Sequence, residues 1–169
     1  HDFPTLMEEL YSEGLMRFCE RGRVRTWRIY LLNTFQAGAV GGRVDPSALA
    51  AIHRNIQAEP ETHALVCLHH HPVLIHSAWL DALGIENADL FNEFVRSQPQ
   101  IRAVIWGHIH QEWDEWRGQT RYLGTPSTCM QFAPRLERMA LDTREPGVRW
   151  LTLYDDGRLE TEVVRVLKD

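Results

Sequence analysis

No stretch of this chain approaches the ~18 consecutive apolar residues that a membrane-spanning helix needs, so no part of it reads as a span. It has no Lys/Arg patch, and a formal net charge of −5 gives no electrostatic reason to expect a nucleic-acid partner. Cysteine is scarce: Cys19, Cys67 and Cys129 form an odd, widely spaced set of three. That argues against a disulfide framework and for a reducing compartment, the cytoplasm, with thiols that pack rather than ligate. There is no internal repeat and no low-complexity linker. The glycine-rich segment Gln36–Gly42 lacks the lysine of a phosphate-binding loop and does not fit the dinucleotide fingerprint, so nucleotide cradling is not expected there. No leader peptide is visible, although a start at His1 rather than Met reads as an internal one.

What the chain does have is histidine. Nine occur in 169 residues, and five of them fall in two clusters, His69-His70-His71-Pro72 and Gly107-His108-Ile109-His110. Each cluster follows a short apolar run, Ala64-Leu65-Val66-Cys67 in one case and Ala103-Val104-Ile105 in the other. A lone histidine at a strand end is ordinarily structural. Two clusters at two strand ends, each beside a Gly or Pro turn signal, instead resemble ligands presented at the carboxyl edge of a sheet. Imidazole suits ions of intermediate softness such as zinc, iron and manganese. His108 and His110 share a face if the strand continues through them, but diverge toward two adjacent ions if the chain turns after Gly107.

The length fits a single domain over residues 1–169, with 44% apolar and 24% charged residues, as in a soluble globular protein. Thr5-Leu6-Met7-Glu8 reads as a capping box that opens a helix to about Phe18 or Cys19. Trp27, Ile29 and Leu31 alternate as a strand ending near Asn33, and Asp45-Pro46 caps a helix to about Gln57. A loop carrying Ser77, Trp79 and Asp81 follows the first histidine cluster. Leu90, Phe91, Phe94 and Val95 then give helical spacing to Asn87–Gln98. After Glu112 the pattern turns to hairpins, with turns at Arg117-Gly118-Gln119 and Asp155-Asp156-Gly157. The fold class is therefore α/β, giving way to antiparallel sheet.

His70-His71-Pro72 and Gly107-His108-Ile109-His110 are similar to the last two signatures of the calcineurin-like metallophosphoesterases. Within that superfamily, Ser77-Ala78-Trp79-Leu80-Asp81, Leu83 to Asn87 and Gly124-Thr125-Pro126-Ser127-Thr128-Cys129 resemble the bacterial class III 3′,5′-cyclic nucleotide phosphodiesterases. The resemblance covers almost the whole chain. It implies the C-terminal portion of a four-layer α-β-β-α sandwich, with most of one sheet and part of the other. His1-Asp2 resembles the end of the family's Gly-Asn-His-Asp motif, so the N-terminal strands that bring the aspartates are expected to be lacking here.

The resemblance also implies roles. Two divalent ions, iron or manganese or else zinc, would serve the intact enzyme in converting cAMP to AMP. His70, two residues before Pro72, and His108 would ligate one ion, and His110 the other while also touching the phosphate. His69, one step earlier on the strand, is expected on the opposite face, in a supporting role. His1 would bind phosphate and protonate the leaving oxygen, with Asp2 orienting it. With neutral imidazoles alone, this chain is expected to hold a pair of ions weakly. The alternatives are another dimetal phosphohydrolase of the superfamily or an inactive scaffold with a partial metal site. The near-continuous apolar runs around Val66 and Val104 imply cover on both faces. If strands are lacking, a homo-oligomer or strand pairing at an opened sheet edge is expected.

Overall fold

The computed structural model of the chain describes residues 21–166, so the expected helix over residues 5–19 and the pair His1 and Asp2 lie outside the described residues. Within that range a six-stranded sheet forms from β1 (Arg21–Val24), β2 (Trp27–Leu31), β3 (His63–Leu68), β4 (Ile101–Trp106), β5 (Trp113–Arg117) and β6 (Thr120–Gly124). Its order is β1-β2-β3-β4-β6-β5. The inner neighbours β2, β3, β4 and β6 run parallel, while β1 and β5 pair antiparallel at the two edges. The sequence pattern did not mark β1.

Two crossovers supply one covering layer. Between β2 and β3 runs α1 (Pro46–Ala58), opened by the Asp45 side chain, which accepts from Ser47 N at 2.8 Å. Between β3 and β4 come the one-turn α2 (Ala78–Asp81) and then α3 (Ala88–Ser97). Leu49, Ile52 and Ile56 of α1 and Phe91 and Val95 of α3 pack against Val66, Leu68, Val104 and Trp106 of the sheet. Asn87 ties the two helical segments: its side-chain oxygen accepts from Val44 N at 3.0 Å and its amide donates to Val44 O at 2.8 Å.

The opposite face of the sheet is covered by a hairpin of β9 (Gly147–Leu153) and β10 (Leu159–Arg165). Its Leu151, Leu153 and Leu159 meet Trp27, Leu65 and Ala103, with Ile29, Cys67 and Ile105 alongside. Alternate residues of β3 thus face helices or hairpin, which is why the run is apolar at every position. Val66 and Val104 are fully covered within the described residues, as their near-continuous apolar runs imply. Exposed apolar residues include Val148, Trp150 and Val164 on the outer face of the hairpin. A short pair, β7 (Gln131–Phe132) with β8 (Leu141–Asp142), completes the strands. Helix layer, central sheet and hairpin are three layers of the expected sandwich. No helix among the described residues is long and apolar enough to cross a membrane.

Candidate metal centre

Parallel neighbours in a sheet end side by side, so whatever follows β3 and β4 is brought together. Leu68 pairs with Trp106 in the last register position. The next residues are His69-His70-His71 after β3 and Gly107-His108-Ile109-His110 after β4. One donor atom from each of His69, His70 and His108 lies within 4.8 Å of the others. The ring centroids of His70 and His108 are 4.7 Å apart, and those of His69 and His108 are 5.0 Å apart.

The geometry corrects the placing of His69. Its Nε2 stands 3.2 Å from His108 Nδ1, so it does not face away from the cluster. The strand alternation that put it on the opposite face stops at Leu68, and the chain bends through the two residues that follow. Two donors bound to one ion at about 2.0–2.1 Å in tetrahedral geometry stand about 3.3–3.4 Å apart. The observed nitrogen separation is close to that value.

His108 and His110 adopt φ of 59° and 50°, in the left-handed region that non-glycine residues seldom occupy. The chain therefore turns after Gly107, and the two rings diverge. Ile109, fully buried between them, anchors the turn. Gly124 makes room for it, since a Cβ there would meet Ile109 Cδ1 at 2.7 Å and Trp113 Cβ at 2.8 Å. His108 joins the cluster. His110 donates from Nδ1 to Met130 O at 3.0 Å and lies flat on the Phe132 ring, with centroids 4.5 Å apart. Its Nε2 is thereby left as the acceptor-competent atom.

His70 is clamped. Its Nδ1 is 2.8 Å from Thr34 Oγ1 and its Nε2 3.0 Å from Val40 O. Thr34 follows β2, the parallel neighbour of β3, and so arrives beside His70. Gly42 lies against the same ring: a Cβ there would sit 2.3 Å from Nδ1. His71 is 2% exposed and stacks on His108 with its ring planes at 18°. Its ring nitrogens are buried without a well-formed hydrogen bond.

Burial lowers the pKa of all four imidazoles. His108 is pushed down to about 3, by desolvation first and then by its histidine neighbours. His71 falls to about 4 by desolvation, partly offset by the Asp81 charge. His69 and His70 are lowered as well, again chiefly by desolvation. Near neutral pH the cluster is uncharged, which is the state that binds a cation. His108 Nε2 is buried with no hydrogen-bond partner. The donor chemistry and the spacing of His69 Nε2 from His108 Nδ1 fit a divalent ion.

The other candidates have structural partners. Asp81 accepts from Ile75 N at 2.7 Å, and Glu112 pairs with Arg165. Cys67 packs in the core, where burial pushes its thiol up to about 12. Among the described residues, the cluster of His69, His70 and His108 is the one group of His, Cys, Asp or Glu whose donors converge in this way.

The chain is 46% identical over 143 residues to a 3′,5′-cyclic adenosine monophosphate phosphodiesterase, CpdA, of Pseudomonas aeruginosa, matching 85% of this chain and 53% of that protein. To CpdA of Escherichia coli K12 it is 38% identical over 168 residues, 98% of this chain and 61% of the relative. The fold is that of a dimetal phosphatase from Danio rerio, with a TM-score of 0.50 at 13% identity over 85% of this chain and 59% of the other. Over most of its own length the chain is thus similar to cyclic-nucleotide phosphodiesterases, on the fold of a dimetal phosphatase. It spans 53% and 61% of the length of these two relatives. No family model matches it.

Sequence reasoning missed Thr34 and Val40, which hold His70, and Met130 and Phe132, which hold His110. Thr34 was findable from the parallel pairing of β2 with β3. Phe132 lies 22 residues beyond His110 on its own short strand, and no local signal points to it.

Proposed function

We propose that the intact enzyme to which this chain belongs is a dimetal-dependent phosphodiesterase that hydrolyses 3′,5′-cyclic nucleotides, with cAMP going to AMP. The observation that carries this reading is the convergence of three neutral imidazoles at the ends of two adjacent parallel strands. The names of the relatives support the substrate. His70 and His108 would hold one ion with His69 beside them, and His110 the second, its Nε2 directed by Met130 and Phe132. The ions, iron or manganese or else zinc, would supply charge screening for the anionic diester and acidify water.

The chain's own groups have distinct tasks. His110 contacts the phosphate. His1 donates a proton to the departing 3′ oxygen as one water is added across the phosphorus–oxygen bond, and Asp2 orients His1. The bond from phosphorus to the 3′ oxygen breaks, and the phosphate stays on the 5′ oxygen as the monoester of AMP. Residues 1–169 belong to a single cytoplasmic domain that acts on a small-molecule substrate, without nucleic acid or membrane. Copies associate through an open strand edge or the outer face of β9–β10.

The test is cAMP turnover by this chain and by a version extended to the length of its relatives. The extended protein is expected to bind two ions and turn over. This chain alone is expected to bind about one ion and show a trace of activity at most, because two close divalent ions need anionic ligands between them. His108→Ala in the extended protein should abolish most of the turnover. An extended protein that hydrolyses no cyclic nucleotide, or that keeps its activity after His108→Ala, would overturn the reading.

A further inference from the structure

His70 offers two ring nitrogens, and both are already engaged. Its Nε2 lies 3.0 Å from Val40 O, and a carbonyl oxygen only accepts. Nε2 therefore carries the proton of the neutral ring. The lone pair is then on Nδ1, 2.8 Å from Thr34 Oγ1, so the threonine hydroxyl donates to it. In this state His70 has no free donor atom for a cation.

The two partners differ in what they can do next. Val40 can only accept. It is 67% exposed, on a segment with glycines at 38, 41 and 42. Thr34 is 2% exposed and fixed, its own carbonyl accepting from Arg43 N at 3.1 Å. Its hydroxyl can donate or accept without moving its oxygen. The Gly42 backbone lies against the Nδ1 side, where the buried Thr34 hydroxyl is already seated. Nε2 is the nitrogen whose partner, Val40 O, belongs to the exposed residue.

We infer that Thr34 is the positioning residue of His70, acting as a reversible hydrogen-bond partner. It donates to Nδ1 while the Val40 carbonyl holds Nε2, and it accepts from Nδ1 once Nε2 has been given to a cation. The ring keeps one proton throughout. That proton leaves Nε2 and, by exchange with water, is replaced at Nδ1, while the hydroxyl hydrogen of Thr34 rotates away. Val40 O is the placeholder that the ion displaces. A ligating histidine that donates its second N–H to a fixed oxygen is the usual arrangement at metal sites. This inference rests on His70 being a metal ligand, as proposed above.

The test uses the full chain labelled with nitrogen-15, at fixed neutral pH, with Zn²⁺ as the probe. Long-range proton–nitrogen spectra distinguish the two tautomers of His70, assigned with His70→Gln. Without zinc, Nε2 is expected to be protonated. With zinc, the proton is expected on Nδ1. Thr34→Val should weaken zinc binding by roughly 10–100-fold, and Thr34→Ser should restore it. A cation-free ring protonated on Nδ1, a tautomer unchanged by zinc, or unweakened binding by Thr34→Val would each overturn the inference. If Thr34→Val does not fold, the tautomer change in the unaltered chain and in Thr34→Ser decides. Failure of the unaltered chain to bind zinc would overturn the metal reading itself, whereas binding that ignores Thr34 would overturn only the role assigned to that residue.

Discussion

His71 is the most deeply buried of the clustered histidines, and its burial has a consequence for stability. Its pKa of about 4 in the folded chain lies below the ordinary value of 6.5. The unfolded chain therefore takes up a proton first as pH falls. The stability that rests on neutral His71 is full above pH 6.5 and is lost progressively from there toward pH 4. His71 alone accounts for roughly 2 kcal/mol of loss by pH 5, at about 1.4 kcal/mol per unit. His108, lowered to about 3, acts in the same direction. Urea unfolding of the cation-free chain at pH 7 and pH 5 measures this, with a lower midpoint expected at pH 5. The carboxylates contribute little in that window, because their ordinary pKa values lie below it. Equal midpoints at the two pH values would mean that the cluster is open to water.

The turn Gly107–His110 shows how an element aims the site. Its left-handed residues hold only because Ile109 is seated under them, and Ile109 fits only because residue 124 has no side chain. Gly124→Ala should cost about 1–3 kcal/mol by overpacking and should weaken cation binding by swinging His108 out of the cluster. Thermal unfolding and zinc titration check the two effects, and an alanine tolerated without either would show that the turn holds itself. The same element shows what the sequence makes legible. The apolar runs, the Asp45-Pro46 cap and the hairpin turns each have a local cause, so β3, β4, α1, α3 and β9–β10 could be read from pattern. The His69 orientation could not, because it depends on where β3 stops. The outcome of the two readings of His108 and His110, shared face or divergence, depends on Ile109 meeting β6, a contact between segments far apart in sequence. His110 resting on Phe132 is likewise a long-range pairing with no periodic signature.

For the molecule as a whole, the layered packing divides the apolar surface unevenly. Helices and hairpin cover both faces of the inner strands, and Trp150, 61% exposed, is left with Val148 and Val164 on the outer face of the hairpin. Cross-strand pairing sets Val148 opposite Val164 and Trp150 opposite Glu162, so the patch is continuous but bounded by charge. Sedimentation at rising concentration is expected to show self-association that Trp150→Ser reduces. A chain that stays monomeric at high concentration would remove that surface from consideration. The histidine centre lies at the carboxyl ends of the parallel strands, and the metal reading depends on that placement. The most direct measurement is anomalous diffraction from crystals of the chain soaked with Zn²⁺ or Mn²⁺. The expected result is a strong peak among His69, His70 and His108 that disappears in His108→Ala. A peak elsewhere with none in that cluster, or one that survives His108→Ala, would contradict it.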